Sequence, residues 1–194
     1  MNQLHRRDVV NGLLAERDEN LLVVAGLGSS CWDVANAGDR PENFYVWGAM
    51  GGATMIGFGV AKAQPEKRVL VITGDGDMLM GMGSFASIAN DPVTNLAVLV
   101  LDNSAYGETG GQPTHTTGAT DLAGIAKASG IATTATITKE SELRQLKELA
   151  LDAPGPVVVV AKIIHEPLKF VLPSNNGPYL KDRFRVALMG DEVA

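Results

Sequence analysis

Two apolar runs of this chain end in acids and amides. Residues 69–73 run straight into Gly74, Asp75, Gly76 and Asp77, and residues 96–101 end in Asp102 and Asn103. A carboxylate at the carboxyl end of a buried strand stands at the edge of a parallel sheet where ligands bind, and the glycines let the backbone turn sharply and come close to an anion. Gly-Asp-Gly also makes ordinary turns, so the weight falls on the pair of segments. Consecutive parallel strands usually neighbour one another, and Asp75 and Asn103 would then offer a carboxylate and an amide oxygen at one edge. Hard oxygen ligands suit magnesium or calcium, and magnesium commonly shares its shell with phosphate oxygens and water.

Directly after Asn103 comes a glycine-rich polar stretch, residues 106–116, of the kind that can cover a substrate. It contains His115, whose ordinary pKa suits proton transfer, although a lone loop histidine is more often a surface hydrogen-bonding group. His5 and His165 lie outside these segments and read as structural or exposed. Met50, just past another apolar run, reads by itself as core packing. Gly26, Leu27 and Gly28 begin a GxGxxG turn of a nucleotide-binding domain, but Ser30 and Cys31 break it.

The elements that must position these residues alternate between strand and helix. Strands are expected at 21–25, 44–47, 68–73, 96–101, 131–136 and 157–163, and helices at 3–16, 51–63, 81–90, 121–129 and 139–152. Thr138 is expected to cap the last helix, with Ser141 or Glu142 in its first turn. This is the pattern of a doubly wound, mainly parallel α/β sheet with helices on both faces. The expected division is one domain over 1–165 and, because Pro167, Pro173, Gly177 and Pro178 interrupt regular structure, an irregular tail over 166–194 that wraps a partner or lies on the surface.

At 194 residues, 45% hydrophobic and 20% charged with 22 glycines, the chain is sized for a single loop-rich domain. A net charge of −6 without a basic cluster argues against a nucleic-acid or acidic-membrane surface. The single Cys31 can form no internal disulfide and has no zinc-ligand spacing around it, which makes a buried small side chain its expected role and the cytoplasm the expected compartment. The polar amino end lacks an apolar signal core, and no run reaches membrane-spanning length.

The segment from Gly74 to Asn103 resembles the fingerprint of the thiamine diphosphate-dependent enzyme superfamily. That resemblance implies that Asp75, Asn103 and the backbone carbonyl of Ala105 coordinate Mg2+, and that Gly76 and Asp77 lie against the diphosphate. The family usually carries Asn where Asp102 stands, but that position is not a main ligand. Trp47, Gly48, Ala49, Met50 and Gly51 resemble the run that passes beneath the cofactor's rings in its decarboxylases. By that likeness Gly48 offers its carbonyl to the aminopyrimidine and Met50 is the wedge that holds the cofactor bent. Tyr106, Gly107, Glu108, Thr109, Gly110, Gly111 and Gln112 are similar to the matching stretch of sulfopyruvate and phosphonopyruvate decarboxylases, which act on pyruvate bearing an anionic tail. Thr109 and the two glycines after it would present donors to cofactor or substrate. Glu108 is a candidate for proton transfer, one residue out of step with the acid of other decarboxylases. The superfamily holds a further glutamate on a separate pyrimidine-binding domain, for which this chain has no room. The implied protein is therefore the smaller subunit of a hetero-oligomeric carboxy-lyase whose partner supplies that glutamate. A carboligase or oxidoreductase subunit, or a non-catalytic cofactor-binding subunit, are the alternatives; the lone cysteine argues against an iron–sulfur cluster within this chain, though a partner chain could hold one.

Overall fold

In the computed structural model, which describes residues 3–190, the apolar runs form one six-stranded sheet. Its strands are β1 (Leu21–Ala25), β2 (Asn43–Tyr45), β3 (Arg68–Gly74), β4 (Leu96–Asp102), β7 (Thr133–Ile137) and β8 (Val157–Lys162). A two-stranded ribbon, β5 (Ala105–Tyr106) and β6 (Gln112–Pro113), lies outside it. The order across the main sheet is β2-β1-β3-β4-β8-β7, and every neighbouring pair is parallel. After β2 the chain returns to the other side of β1 to form β3, so the winding reverses between β1 and β3. The ends of the two expected segments, residues 1–2 and 191–194, lie outside the described residues.

Successive side chains of a strand face opposite ways, and the sheet divides its apolar residues accordingly. Val23, Leu70, Ile72, Leu99 and Val159 join one core with α1 (Arg6–Leu14), α2 (Ser29–Asn36) and α7 (Leu143–Lys147). Val24, Val71, Val98 and Val160 join the other with α3 (Ala53–Ala63), α4 (Asp75–Met80), α5 (Gly83–Asn90) and α6 (Leu122–Ala128). Burial on both faces is why β1 and β4 read as unbroken apolar runs.

Three expectations change. The carboxyl-terminal segment is not irregular throughout, because α8 runs over Gly177–Met189. Asn176 accepts a hydrogen bond from the Tyr179 N–H at 3.1 Å and Pro178 sits in the first turn, where its missing N–H costs nothing. Leu180 enters one core and Phe184 the other, its ring 5.3 Å from Phe44, so α8 covers the β2 edge of the sheet. Thr138 does not cap the 139–152 helix. Glu142 reaches back instead and accepts from the N–H groups of Thr138 and Lys139, at 2.7 and 3.0 Å. Finally, α2 and α4 form where no helix is expected from the sequence. Among the described residues no helix is long and apolar enough to cross a membrane.

Candidate active site

β3 and β4 are adjacent, with Gly74 opposite Leu101, so Asp75 and Asp102 follow at the same edge. Asp75 is 2% exposed. Its Oδ2 accepts from the hydroxyls of Thr114 at 2.5 Å and Thr116 at 3.2 Å. Burial raises its carboxyl above the ordinary range; the Thr114 hydroxyl opposes this, while the charge of Asp102 adds to it. Asp102 is also buried, paired with Lys162 at 2.5 Å and accepting from Thr116 at 2.7 Å. It holds the threonine loop and the next strand in place, which explains why a carboxylate is tolerated where the resembling family has an amide.

Asn103 lines the same cavity as Asp75. Its Oδ1 accepts from the Ala105 N–H at 2.9 Å, and its amide nitrogen lies 3.3 Å from Nδ1 of His165. The intervening Ser104 adopts a left-handed conformation (φ 58°) that turns the chain into β5. The turn brings Tyr106 over Gly76: a Cβ there would lie 2.5 Å from the tyrosine ring, so Gly76 is a glycine because the ring covers it. Ala105, Tyr106, Gly107 and Thr109 all line the cavity. The Thr109 hydroxyl donates to Gln112 Oε1 at 3.0 Å, and the Gly111 N–H closes the loop on the Tyr106 carbonyl at 2.9 Å.

Asp77 is held from both sides. The Thr73 hydroxyl donates to its Oδ2 at 2.5 Å and the Gly51 N–H donates to its Oδ1. Gly51 (φ 84°) packs on the backbone of Met80 and Gly81, so Asp77 joins the 47–51 loop to the end of β3. Met50 is 38% exposed and lines the cavity; Gly48 is exposed and is not part of the cavity wall within this chain.

The cavity measures about 600 Å3 and lies beyond the carboxyl ends of β1, β3 and β4, where the winding reverses. That is the expected ligand position in an open α/β sheet, and the volume falls in the roughly 300–1,000 Å3 range of small-molecule sites. Glu108 lines it with its carboxylate over Gly28. Burial raises the Glu108 carboxyl and the charge of Arg6 lowers it, with the net direction upward. His115 is exposed and is not among the lining residues; its neighbours Thr114 and Thr116 turn inward instead. Sequence reasoning missed His165, Arg6, Ser29 and Trp32, which all line the cavity. The available signal for the last two was Gly26-Leu27-Gly28 after a buried strand: Gly28 (φ 77°) starts α2 with its amino end toward the site. Cys31 behaves as expected, buried with its thiol 3.0 Å from the Gly26 carbonyl and pushed up by burial to about 12.

A parallel sheet with an acid-and-amide edge at its winding reversal defines a class of cofactor-binding α/β domains, and comparison with known proteins narrows it. Residues 26–161 match the family described as thiamine pyrophosphate enzyme, C-terminal TPP binding domain. The chain belongs to that family. It is 39% identical over 160 residues to sulfopyruvate decarboxylase subunit beta of Methanococcus maripaludis, covering 82% of this chain and 84% of that one. It is also 39% identical over 147 residues to phosphonopyruvate decarboxylase of Streptomyces viridochromogenes, covering 76% of this chain but 36% of that one. A solved structure from Mycobacterium smegmatis, described as a thiamin diphosphate-dependent enzyme, superposes with a TM-score of 0.69 at 21% identity, over 84% of this chain and 32% of that one, and shares the fold.

Proposed function

We propose that this chain is the diphosphate- and magnesium-binding subunit of a thiamine diphosphate-dependent decarboxylase acting on 3-sulfopyruvate or a related 2-oxo acid with an anionic tail, such as phosphonopyruvate. The observation that carries this reading is the convergence of Asp75 and Asn103 on one cavity at the winding reversal of the sheet.

The donor set fits the cofactor. A carboxylate buried beside a second carboxylate is stabilised by a cation, and Asp75 is such a group. Among the described residues no three His, Cys, Asp or Glu side chains cluster. One carboxylate, the Asn103 amide oxygen and the Ala105 carbonyl instead suit a magnesium ion that completes its shell with phosphate oxygens and water. The amino ends of α2 and α4 carry no side-chain cap, and their N–H groups favour anionic oxygens. Thiamine diphosphate would supply the electron sink that lets a 2-oxo acid lose carbon dioxide.

This chain's residues then have distinct tasks. Asp75, Asn103 and Ala105 hold the metal, with Thr114 and Thr116 orienting Asp75. Gly74 and Gly76 let the diphosphate approach, Asp77 holds the 47–51 loop, and Gly48 and Met50 on that loop support the pyrimidine end. Tyr106, Gly107 and Thr109 form the wall beside it. Glu108, inside the cavity with a raised pKa, is the proton carrier in preference to His115. Residues 1–165 carry the cofactor domain, and the following segment closes over it.

A separate subunit completes the site. The chain spans most of a relative named as a subunit and about a third of phosphonopyruvate decarboxylase. Met50 and Met80, 38% and 64% exposed, adjoin the Gly51–Gly81 contact, and Met55 on α3 is 41% exposed, apolar surface suited to a partner. The test is co-expression with the candidate pyrimidine-binding subunit, then calorimetric titration of thiamine diphosphate with magnesium into the complex and into its Asp75→Ala form. Magnesium-dependent binding lost in the variant, with carbon dioxide and aldehyde released from 3-sulfopyruvate, is expected. An intact complex that binds no cofactor would sink the reading.

A further inference from the structure

The cavity has a second polar wall, built from α1, α2 and the segment that follows β8. Arg6 is the one lysine or arginine among the described residues that line the cavity, and it is 4% exposed. Nη1 donates to Asp33 Oδ2 at 2.5 Å and to the Ser29 carbonyl at 3.3 Å. Both of its hydrogen bonds among the described residues leave from that one nitrogen. Nη2 and Nε remain as donors, and neither is a sealed, partnerless atom of the kind found at Nε of Arg17 and Arg183.

The Asp33 cluster carries two guanidinium groups on one carboxylate, while Glu108 and Glu166 bring two further carboxylates to the same wall. Asp33 is fully buried and also accepts from Arg7 Nε at 3.0 Å, so one carboxylate faces two guanidinium groups. Arg7 is committed elsewhere too, donating to the Lys169 carbonyl at 2.9 Å. Of the three charged groups in that cluster, Arg6 is the one that lines the cavity. Glu108 stands on the same wall, its carboxylate over Gly28.

Trp32 supplies a second, independent observation. Its ring lines the cavity and is covered by Phe170, with centroids 4.3 Å apart. The residue is 9% exposed, and its indole N–H is buried with no acceptor. Buried donors are nearly always paired, because an unmade bond costs stability. A buried donor without an acceptor, on a residue that lines the ligand cavity with Arg6, is explained by an acceptor that the ligand brings. Guanidinium forks match the spaced oxygens of sulfonate and phosphonate groups, which a neutral substrate tail would not engage.

We propose that Arg6 and the indole N–H of Trp32 form the subsite for the anionic tail of the substrate. This rests on the decarboxylase reading above and adds the residues that select its substrate.

The test uses the cofactor-loaded complex with its partner subunit, as wild type and as Arg6→Gln, Arg6→Lys and Trp32→Phe. Two quantities are measured: KM for 3-sulfopyruvate, and calorimetric affinity for the unreactive probes 3-sulfopropanoate and 3-phosphonopropanoate. Loss of a hydrogen bond to a charged group predicts about a tenfold to hundredfold weakening of KM and probe affinity for Arg6→Gln, and about three- to tenfold for Trp32→Phe. Arg6→Lys should recover part of the loss, and cofactor affinity should stay within about twofold. Whichever probe shows the larger Arg6 dependence identifies the tail as sulfonate or phosphonate. If Arg6→Gln fails to fold because Asp33 loses a partner, Trp32→Phe and Arg6→Lys carry the test. Equal probe affinity in the wild type and the folded variants, or no probe binding by the wild type, overturns the subsite. Arg6-dependent probe binding without carbon dioxide release overturns the decarboxylase reading and leaves the subsite standing.

Discussion

Replacing Asp77 separates a structural clamp from a cofactor contact. The residue is 5% exposed, and its carboxylate accepts two hydrogen bonds, from the Thr73 hydroxyl and from the Gly51 N–H. Asp77→Ala leaves the buried Thr73 hydroxyl and the part-buried Gly51 N–H without their acceptor, at about 1–3 kcal/mol each. The sum of about 2–6 kcal/mol is a large share of the roughly 5–15 kcal/mol by which a domain is stable. For a chain of this size that lowers Tm on the order of 10 °C. Asp77→Asn keeps an oxygen for the Gly51 N–H and presents an amide to the Thr73 hydroxyl, which can rotate to accept, so its cost should be roughly 1 kcal/mol. Scanning calorimetry of the cofactor-free complex should therefore rank wild type just above the Asn variant and both well above the Ala variant. The contrary outcome is specific. If Asp77 acts mainly beside the diphosphate, Asp77→Ala leaves the cofactor-free Tm unchanged and tightens cofactor binding by removing a like charge. Either result refutes the clamp.

Three further outcomes follow from the geometry. Thr114→Val and Thr116→Val each remove a donor from Asp75 Oδ2, and should weaken magnesium-dependent cofactor binding about tenfold by calorimetry; an unchanged affinity would show that Asp75 needs no orienting hydroxyl. Cys31, its thiol pushed up by burial to about 12, is thiolate at only about one part in ten thousand at pH 8, and should resist iodoacetamide until the protein is unfolded; rapid labelling of the native chain would contradict this. Burial raises the Asp39 carboxyl, but hydrogen bonds from Arg183 and Tyr45 outweigh it and leave a net lowering below 3.8. A lowered folded-state pKa contributes stability above the unfolded value that is lost as pH falls through the folded one. The docking of α8 should thus persist at pH 5 and loosen below about pH 3.8, while Arg183→Gln should expose α8 to limited proteolysis at neutral pH.

The parallel architecture was legible because strands buried on both faces must be nearly all apolar, and β1, β3, β4 and β8 are. The edge residues Asp75 and Asn103 were legible for the same reason: an apolar run that stops at an acid or amide marks a strand end, and neighbouring strands bring two such ends together. Other features lacked a local signal. The short α2 and α4 start at glycines whose turn chemistry also fits loops, and α8 begins amid prolines and asparagines that read as breakers until Asn176 is seen capping it. The role of Asp77 depends on Gly51, and that of Asp75 on Thr114 and Thr116, contacts between residues far apart in the chain. Sequence by itself determined the fold class, the family and the acid-and-amide edge, because each is written in runs and spacings along a strand. Tertiary structure alone decided that Arg6, Trp32, Glu108 and His165 share one cavity while His115 faces away from it, because which side chains meet in space depends on how α1, the loop after β5 and the segment after β8 pack over the sheet.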